Sequence, residues 1–492
     1  MLRGLLVALV LAVLVACGLY IAAGRTPPPA LAIDKPDRIV GQTGTLEVSA
    51  TGTRGRLASL SATLEQNGKT VPLFSLDAAA AKPLWQADGD RLNVTRPFGK
   101  RAVPELAEGA ARIVVTATTK SWLGLRTLSS QATRDIQVRL EAPRIAVLSS
   151  KHYVNHGGAE MVVYRATPAD VESGVRVGDI EYAGFPAAGA GVAGADATTK
   201  VAFFALLDDQ PLDAPIVAFA RDGAGNEAKV AFIDGVFEKP FRKSRIEIDD
   251  TFLGRVVPEI LEHSPELNVP AGTSDLEAGF LKINGDLRRM NAEAIITLAK
   301  ATAPDRLWSG PFVQLGNSQV EAAFADHRTY IYKGKEIDQQ EHLGFDLAVT
   351  ANVPVVAANS GKVVNARWLG IFGNCVIIDH GMGVASLYGH LSSIDIKVGD
   401  SVARGQIIGK SGMTGLASGD HLHFTMLVAG RPVNPVEWWD AHWVQDRVER
   451  KLHDLGGGAA AAVPPPPPSR KSAAPKASPR PHARNTAHRQ NS

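Results

Sequence analysis

The spacing of apolar positions changes character several times along the chain. From about Ala32 to Leu140, short alternating runs rich in β-branched residues predict strands, as in Gly44–Ala50 and Arg112–Ala117. From about Ala142 to Val236 the same style recurs, and Ala218–Glu227 reads as a strand running into a glycine turn. Between Asp249 and Ala303 the period lengthens. Phe252, Val256, Val257, Ile260 and Leu261 recur at helical spacing, as do Leu276, Phe280, Leu281 and Ile283, then Met290, Ile295, Ile296 and Leu298. Gly310 to about Trp443 returns to dense strand signals with many glycines.

The two ends differ from everything between them. Arg3 precedes an uninterrupted apolar run from Leu5 to Ala23, closed by Arg25 and a proline stretch. About 20 apolar residues at ~1.5 Å each span a bilayer core. The run exceeds the ~7–15 residues of an ordinary signal-peptide core, so an uncleaved signal anchor is the preferred reading. A signal peptide cleaved near Ala22–Gly24 and a lipoprotein signal at Leu14–Cys17 are the alternatives, and all three export the rest of the chain. Past His453 come glycine and alanine runs, five prolines, and a tail with Arg470, Lys471, Lys476, Arg480, Arg484 and Arg489 but no acid after Asp454. Such a segment cannot bury a core and is expected to be disordered.

Composition narrows the classes. A chain of 492 residues exceeds one core of ordinary size, at ~100–200 residues per domain. A net charge of +2 gives no nucleic-acid footprint. Of the two cysteines, Cys17 lies in the apolar leader and Cys375 in a strand-like run, where a buried inert thiol is expected. No disulfide and no cysteine-based metal site is therefore expected, and any metal must use histidine and carboxylate.

Three segments carry the candidate chemistry: His342–Asp346, Tyr388–Leu391 and His421–Phe424. The flanks of the first alternate (Leu343, Phe345, Leu347, Val349), so it reads as a strand with His342 and Asp346 on one face. His421 and His423 share a face for the same reason. If those faces meet, imidazole and carboxylate converge in a donor set that suits zinc, with one position left for water. The same-face argument leaves open whether His421 or His423 takes the metal. His380 is expected at a turn nearby, and His152, His156, His263, His327 and His442 are read as surface or structural.

The stretch from about Ser309 to Asp440 resembles the lysostaphin-type (LytM-like) zinc metalloendopeptidases that act on peptidoglycan. The resemblance rests on His342–Asp346, Pro354–Val363, Gly373–Gly381, Tyr388–Leu391, Val398–Gly409 and Gly419–Phe424. It implies a compact antiparallel β-sheet domain and a Zn2+ ion held by His342, Asp346 and His423. It also implies that His390 and His421 act on water and on the tetrahedral intermediate. Where many members have Phe-Gly-x-Arg, this chain has Phe324-Ala-Asp-His-Arg328, which should reshape a groove wall. Two other readings compete: a catalytically silent wall scaffold or amidase activator on the same domain, and a lipoyl-type carrier suggested by Val398–Gly409. Filled site positions argue against the first, and the histidine cluster against the second.

The expected architecture is mainly β. A transmembrane signal anchor (1–25) precedes two β-sandwich modules (26–141 and 142–240), immunoglobulin-like in style. A helical connector (241–305) leads to the peptidase domain (306–445) and a disordered basic tail (454–492). The expected setting is the cell envelope, with the chain anchored in the inner membrane and its bulk in the periplasm. Peptidoglycan is the expected substrate. The β modules are read as spacers, with contacts to wall polymers or division proteins as the alternative.

Overall fold

The structure is a computed structural model that describes residues 2–23, 28–51, 57–76, 85–88, 91–120, 127–269 and 275–456. The expected disordered tail therefore lies, from residue 457 on, outside the described residues.

Leu2–Ala23 is a helix of 22 residues in which Leu6, Leu9, Leu14 and Ile21 are exposed and Leu19 is half-buried. The side chains at positions 2, 3, 5, 22 and 23 lie outside the described set. Among the described residues no helix is long and apolar enough to cross a membrane. The membrane span expected over 1–25 is thus not found there.

The strands expected between Ala32 and Leu140 form two sheets. Gly44–Thr51 sits between Ala30–Lys35 and Arg91–Phe98 in one, and Gly109–Lys120 sits between Leu57–Gln66 and Thr127–Val138 in the other. Alternate residues from both, such as Val48 and Val94 against Leu64 and Ile113, fill one core. The next stretch again makes two four-stranded sheets, centred on Gly158–Thr167 with Thr199–Leu206 and on Glu172–Val177 with Ile216–Arg221.

This second pair of sheets shares its core with the C-terminal part of the chain. Phe203 lies 6.0 Å from Trp438 and 6.2 Å from Trp308, ring to ring. Polar groups cross the same seam: Asn155 Nδ2 and the Ala159 N–H donate to the Glu437 carboxylate at 2.6 and 2.7 Å, and Lys451 Nζ donates to Glu160 Oε1 at 2.8 Å. A freely hinged spacer would leave this surface wet. Here it is closed, with aromatic rings packed across it and its buried polar groups paired.

The helical period between Asp249 and Ala303 is realised as Asp250–Glu262, Leu276–Lys282 and Arg288–Ala299. Asp249 and Asp275 cap the first two by accepting the N–H of Phe252 and Ala278. The connector opens with a strand, however. Lys243–Ile248 pairs in parallel with Asp326–Tyr332, which pairs antiparallel with Lys335–His342. That pairing ties the helices to the sheets that follow.

The largest sheet runs Gln319–Ala322, Phe345–Ala348, His421–Val428, Val384–Gly389, Asn374–Gly381, Gly361–Trp368, Ser401–Val402. The strand His421–Val428 is buried along its whole length, with His421, His423, Thr425 and Leu427 lining the site and Leu422, Phe424 and Met426 in the core. Past residue 445 the chain continues helical to Gly456.

Candidate metal centre

The strand His421–Val428 supplies both histidines of its motif on one face, as the two-residue period requires. His342 and Asp346 come together differently from the sequence expectation. They do not share a strand. Lys335–His342 ends at His342, the chain bends at Leu343–Gly344, and Phe345–Ala348 joins the other sheet. Gly344 permits the bend: a Cβ there would stand 2.5 Å from the His423 ring and from Thr425 Oγ1. His342 then reaches the centre from one sheet. Asp346, paired in register with His423, reaches it from the next.

Three atoms meet. His342 Nε2 is 2.9 Å from Asp346 Oδ1 and 3.1 Å from His423 Nδ1, and His423 Nδ1 is 3.0 Å from Asp346 Oδ1. The outer partners of each ring fix what those atoms are. His342 Nδ1 faces the Ala323 carbonyl at 3.1 Å and must donate to it, which leaves Nε2 a lone pair. Thr425 Oγ1 donates to the Leu343 carbonyl at 2.9 Å and so accepts His423 Nε2–H at 3.0 Å, which leaves Nδ1 a lone pair. Two imidazole lone pairs and a carboxylate oxygen therefore point at one buried spot. A cation satisfies that arrangement, and nitrogen-nitrogen-oxygen is a donor set that a metal accepts.

Asp346 is held from behind. Arg328 Nη2 donates to its Oδ2 at 2.9 Å. Burial pushes His423 down to about 4.

His390 and His421 stand beside the three. Their rings lie 4.8 Å apart, and His421 Nε2 is 3.4 Å from Asp346 Oδ1. Each donates Nδ1–H outward, His390 to the Thr414 carbonyl at 2.8 Å and His421 to the Gly419 carbonyl at 2.9 Å. Burial, with His421 and His423 adjacent, pushes His390 well below its ordinary value. Burial opposes charge on His421 as well, but the Asp346 carboxylate wins and raises it. His390 takes a left-handed backbone, φ 63°, directly after the strand Val384–Gly389, which turns its ring toward the centre.

The five residues singled out in the sequence line one cavity of about 990 Å³. His380 does not join them. It sits inside the strand Asn374–Gly381, not at a turn, and is bound to the Ser360 carbonyl and to Ser386 Oγ, both at 2.7 Å. Cys375 is free and buried, as expected. Sequence reasoning missed Arg328 and Thr425. Thr425 had a signal, because His421, His423 and Thr425 continue one two-residue period. Arg328 had one in the departure from Phe-Gly-x-Arg at Phe324–Arg328, but that segment was read as a groove wall and not as the partner of Asp346.

Residues 340–435 match the model of peptidase family M23. These residues are an M23 peptidase domain. Over 96 residues the chain is 45% identical to the peptidoglycan DD-endopeptidase ShyA of Vibrio cholerae, covering 20% of this chain and 22% of that protein. It is 32% identical over 168 residues to the peptidoglycan DD-endopeptidase ShyB of the same organism, covering 34% of this chain and 39% of that one. The chain thus spans well under half the length of these curated relatives. Among solved structures, the catalytic domain of lysostaphin from Staphylococcus simulans is 32% identical, with 25% of this chain and 92% of that chain covered and a TM-score of 0.22.

Proposed function

We propose that this chain is a zinc-dependent endopeptidase that hydrolyses peptide bonds of bacterial peptidoglycan, in cross-links or stem peptides. The observation that carries the reading is the convergence of His342 Nε2, Asp346 Oδ1 and His423 Nδ1, each with its outer partner in place. The likeness to the peptidoglycan DD-endopeptidases ShyA and ShyB supports peptidoglycan as the substrate.

In this reading His342, Asp346 and His423 hold the zinc. When bound, the ion supplies Lewis-acid polarisation of the scissile carbonyl and brings the pKa of water toward ~7. The protein's own groups do the rest. His390 and His421 each spend Nδ1–H on a backbone carbonyl, so proton movement takes place at Nε2. One Nε2 takes the proton of the attacking water and passes it to the leaving amine, while the other offers a proton to the developing oxyanion. Arg328 keeps Asp346 charged and oriented.

In the same proposal the chain is attached to the inner membrane, with the remainder in the periplasm, and the exposed apolar side chains of Leu6, Leu9, Leu14 and Ile21 support it.

The test is mass spectrometry of purified peptidoglycan fragments incubated with the full chain. Cleaved peptides are expected with zinc, none after chelation, and recovery when zinc is returned. Release of nothing by the zinc-loaded protein would show a scaffold. Full activity after chelation, or in a His423→Ala variant, would remove the metal from the account.

A further inference from the structure

The cavity above the metal centre has a second polar feature that the cleavage chemistry does not use. Its helical wall begins at Arg288, directly after a π-helical turn over Ile283–Leu287. Such turns are uncommon and cluster at functional positions. Arg288 is pinned by its own helix: Nη2 donates to Asn284 Oδ1 at 2.7 Å and Nε to the Asn284 carbonyl at 3.2 Å. Asn284 is fixed in turn, donating Nδ2–H to Asp338 Oδ2 at 2.7 Å.

Among the described residues no carboxylate lies within ion-pair distance of this guanidinium. Burial disfavours its charge, Tyr330, Asp338 and Glu341 favour it from farther off, and Arg328 faces it as a like charge. Arg245, on the strand Lys243–Ile248, lines the same cavity and also has no ion-pair partner among the described residues. A guanidinium taken out of bulk water needs an anion to offset the lost hydration. One held rigid, with N–H groups still unused, is preorganised for a planar carboxylate.

The helix is also tied to the reacting groups. One turn on, Asn291 Oδ1 accepts the Ile371 N–H at 3.0 Å. The next residue, Phe372, lies 5.4 Å from the His423 ring, and its carbonyl accepts the His390 N–H at 2.8 Å. A group gripped by Arg288 is therefore placed relative to the histidines through a short, stiff path.

We propose that Arg288, supported by Arg245, binds a carboxylate of the substrate peptide and sets which bond lies over the metal centre. The inference rests on the reading of the cavity as a peptide site, and it makes this chain selective for acidic peptides. The carboxylate is either a side chain or the C-terminus of the peptide.

Titration calorimetry on the full chain tests it, with synthetic stem peptides carrying free or fully amidated carboxylates. For the unaltered chain, the free-acid peptide is expected to bind about tenfold to a hundredfold tighter, the range for a charge-assisted pair. In Arg288→Gln that preference should fall below about threefold, while Arg288→Lys, which keeps charge but loses the fork, should fall between. Peptides amidated only at the side chain or only at the C-terminus identify which carboxylate is held. Equal affinity of acid and amide for the unaltered chain overturns the proposal, as does an undiminished preference in a folded Arg288→Gln. If Arg288→Gln does not fold, the unaltered chain and Arg245→Gln decide on the same readout. Binding preference without any cleaved product would leave this site standing and remove the peptidase reading. Cleavage without preference would do the reverse.

Discussion

Arg328 and Asp346 are joined by one hydrogen bond, Nη2 to Oδ2 at 2.9 Å, while the other Asp346 oxygen faces His342 and His423. Each carboxylate oxygen thus has a separate task. Replacing Arg328 by Met would leave Oδ2 buried without its donor, at a cost of about 1–3 kcal/mol. The proposed zinc affinity should fall about tenfold to a hundredfold, the usual range for a partner behind a ligand. Competition against a chromophoric chelator measures it. An unchanged zinc affinity would mean that Arg328 only packs.

Thr425 fixes the tautomer of His423 by accepting its Nε2–H. Thr425→Val keeps the shape and removes the acceptor. The same chelator competition should show zinc binding weakened by about tenfold or more, with Thr425→Ser close to the unaltered chain. If valine and serine variants bind alike, the hydroxyl does not set the tautomer.

Gly344 lies where the chain leaves one sheet for another, against the His423 ring and Thr425. Gly344→Ala must displace one of them. Because Thr425 is held by the Leu343 carbonyl, the His423 ring is the group that shifts. The expected outcome is a folded protein, by circular dichroism, that has lost nearly all peptide release. Retained activity would show that the bend tolerates a side chain.

Glu437 is buried at the seam between the second pair of sheets and the C-terminal domain, and burial pushes it up to about 7. Its folded value stands above the ordinary 4.5, so the folded state binds the proton more tightly. Its contribution is fully present below about 4.5 and is lost as pH rises toward 7, a change of about 3 kcal/mol. Melting curves across this window should show the unaltered chain losing stability on alkalisation relative to Glu437→Gln. Parallel curves for the two proteins would remove Glu437 as the cause.

Much of this was readable in the chain. The two-residue period of His421, His423 and the residues after them is a local property of an extended backbone, so it survives folding unchanged. The helical period from Phe252 to Leu298 is local in the same sense, and the helices formed where it occurs. That any metal must use histidine and carboxylate was legible in a chain with two cysteines, while the choice of His423 over His421 rested on the family resemblance.

Other relationships depend on groups far apart in the sequence. The sequence reading put His342 and Asp346 on one strand; the structure breaks the strand between them, and they converge because two sheets meet at Gly344. Arg328 behind Asp346, Ala323 behind His342 and Arg288 above the cavity all come from neighbouring elements, where no local periodicity can announce them. The second pair of sheets read as a spacer, yet Phe203 and Trp438 place its core in common with the C-terminal domain. Local spacing determined which side chains share a face. Only the packing of one sheet against another decided which lone pairs face each other, because that depends on backbone direction and register between strands that the chain itself does not place side by side.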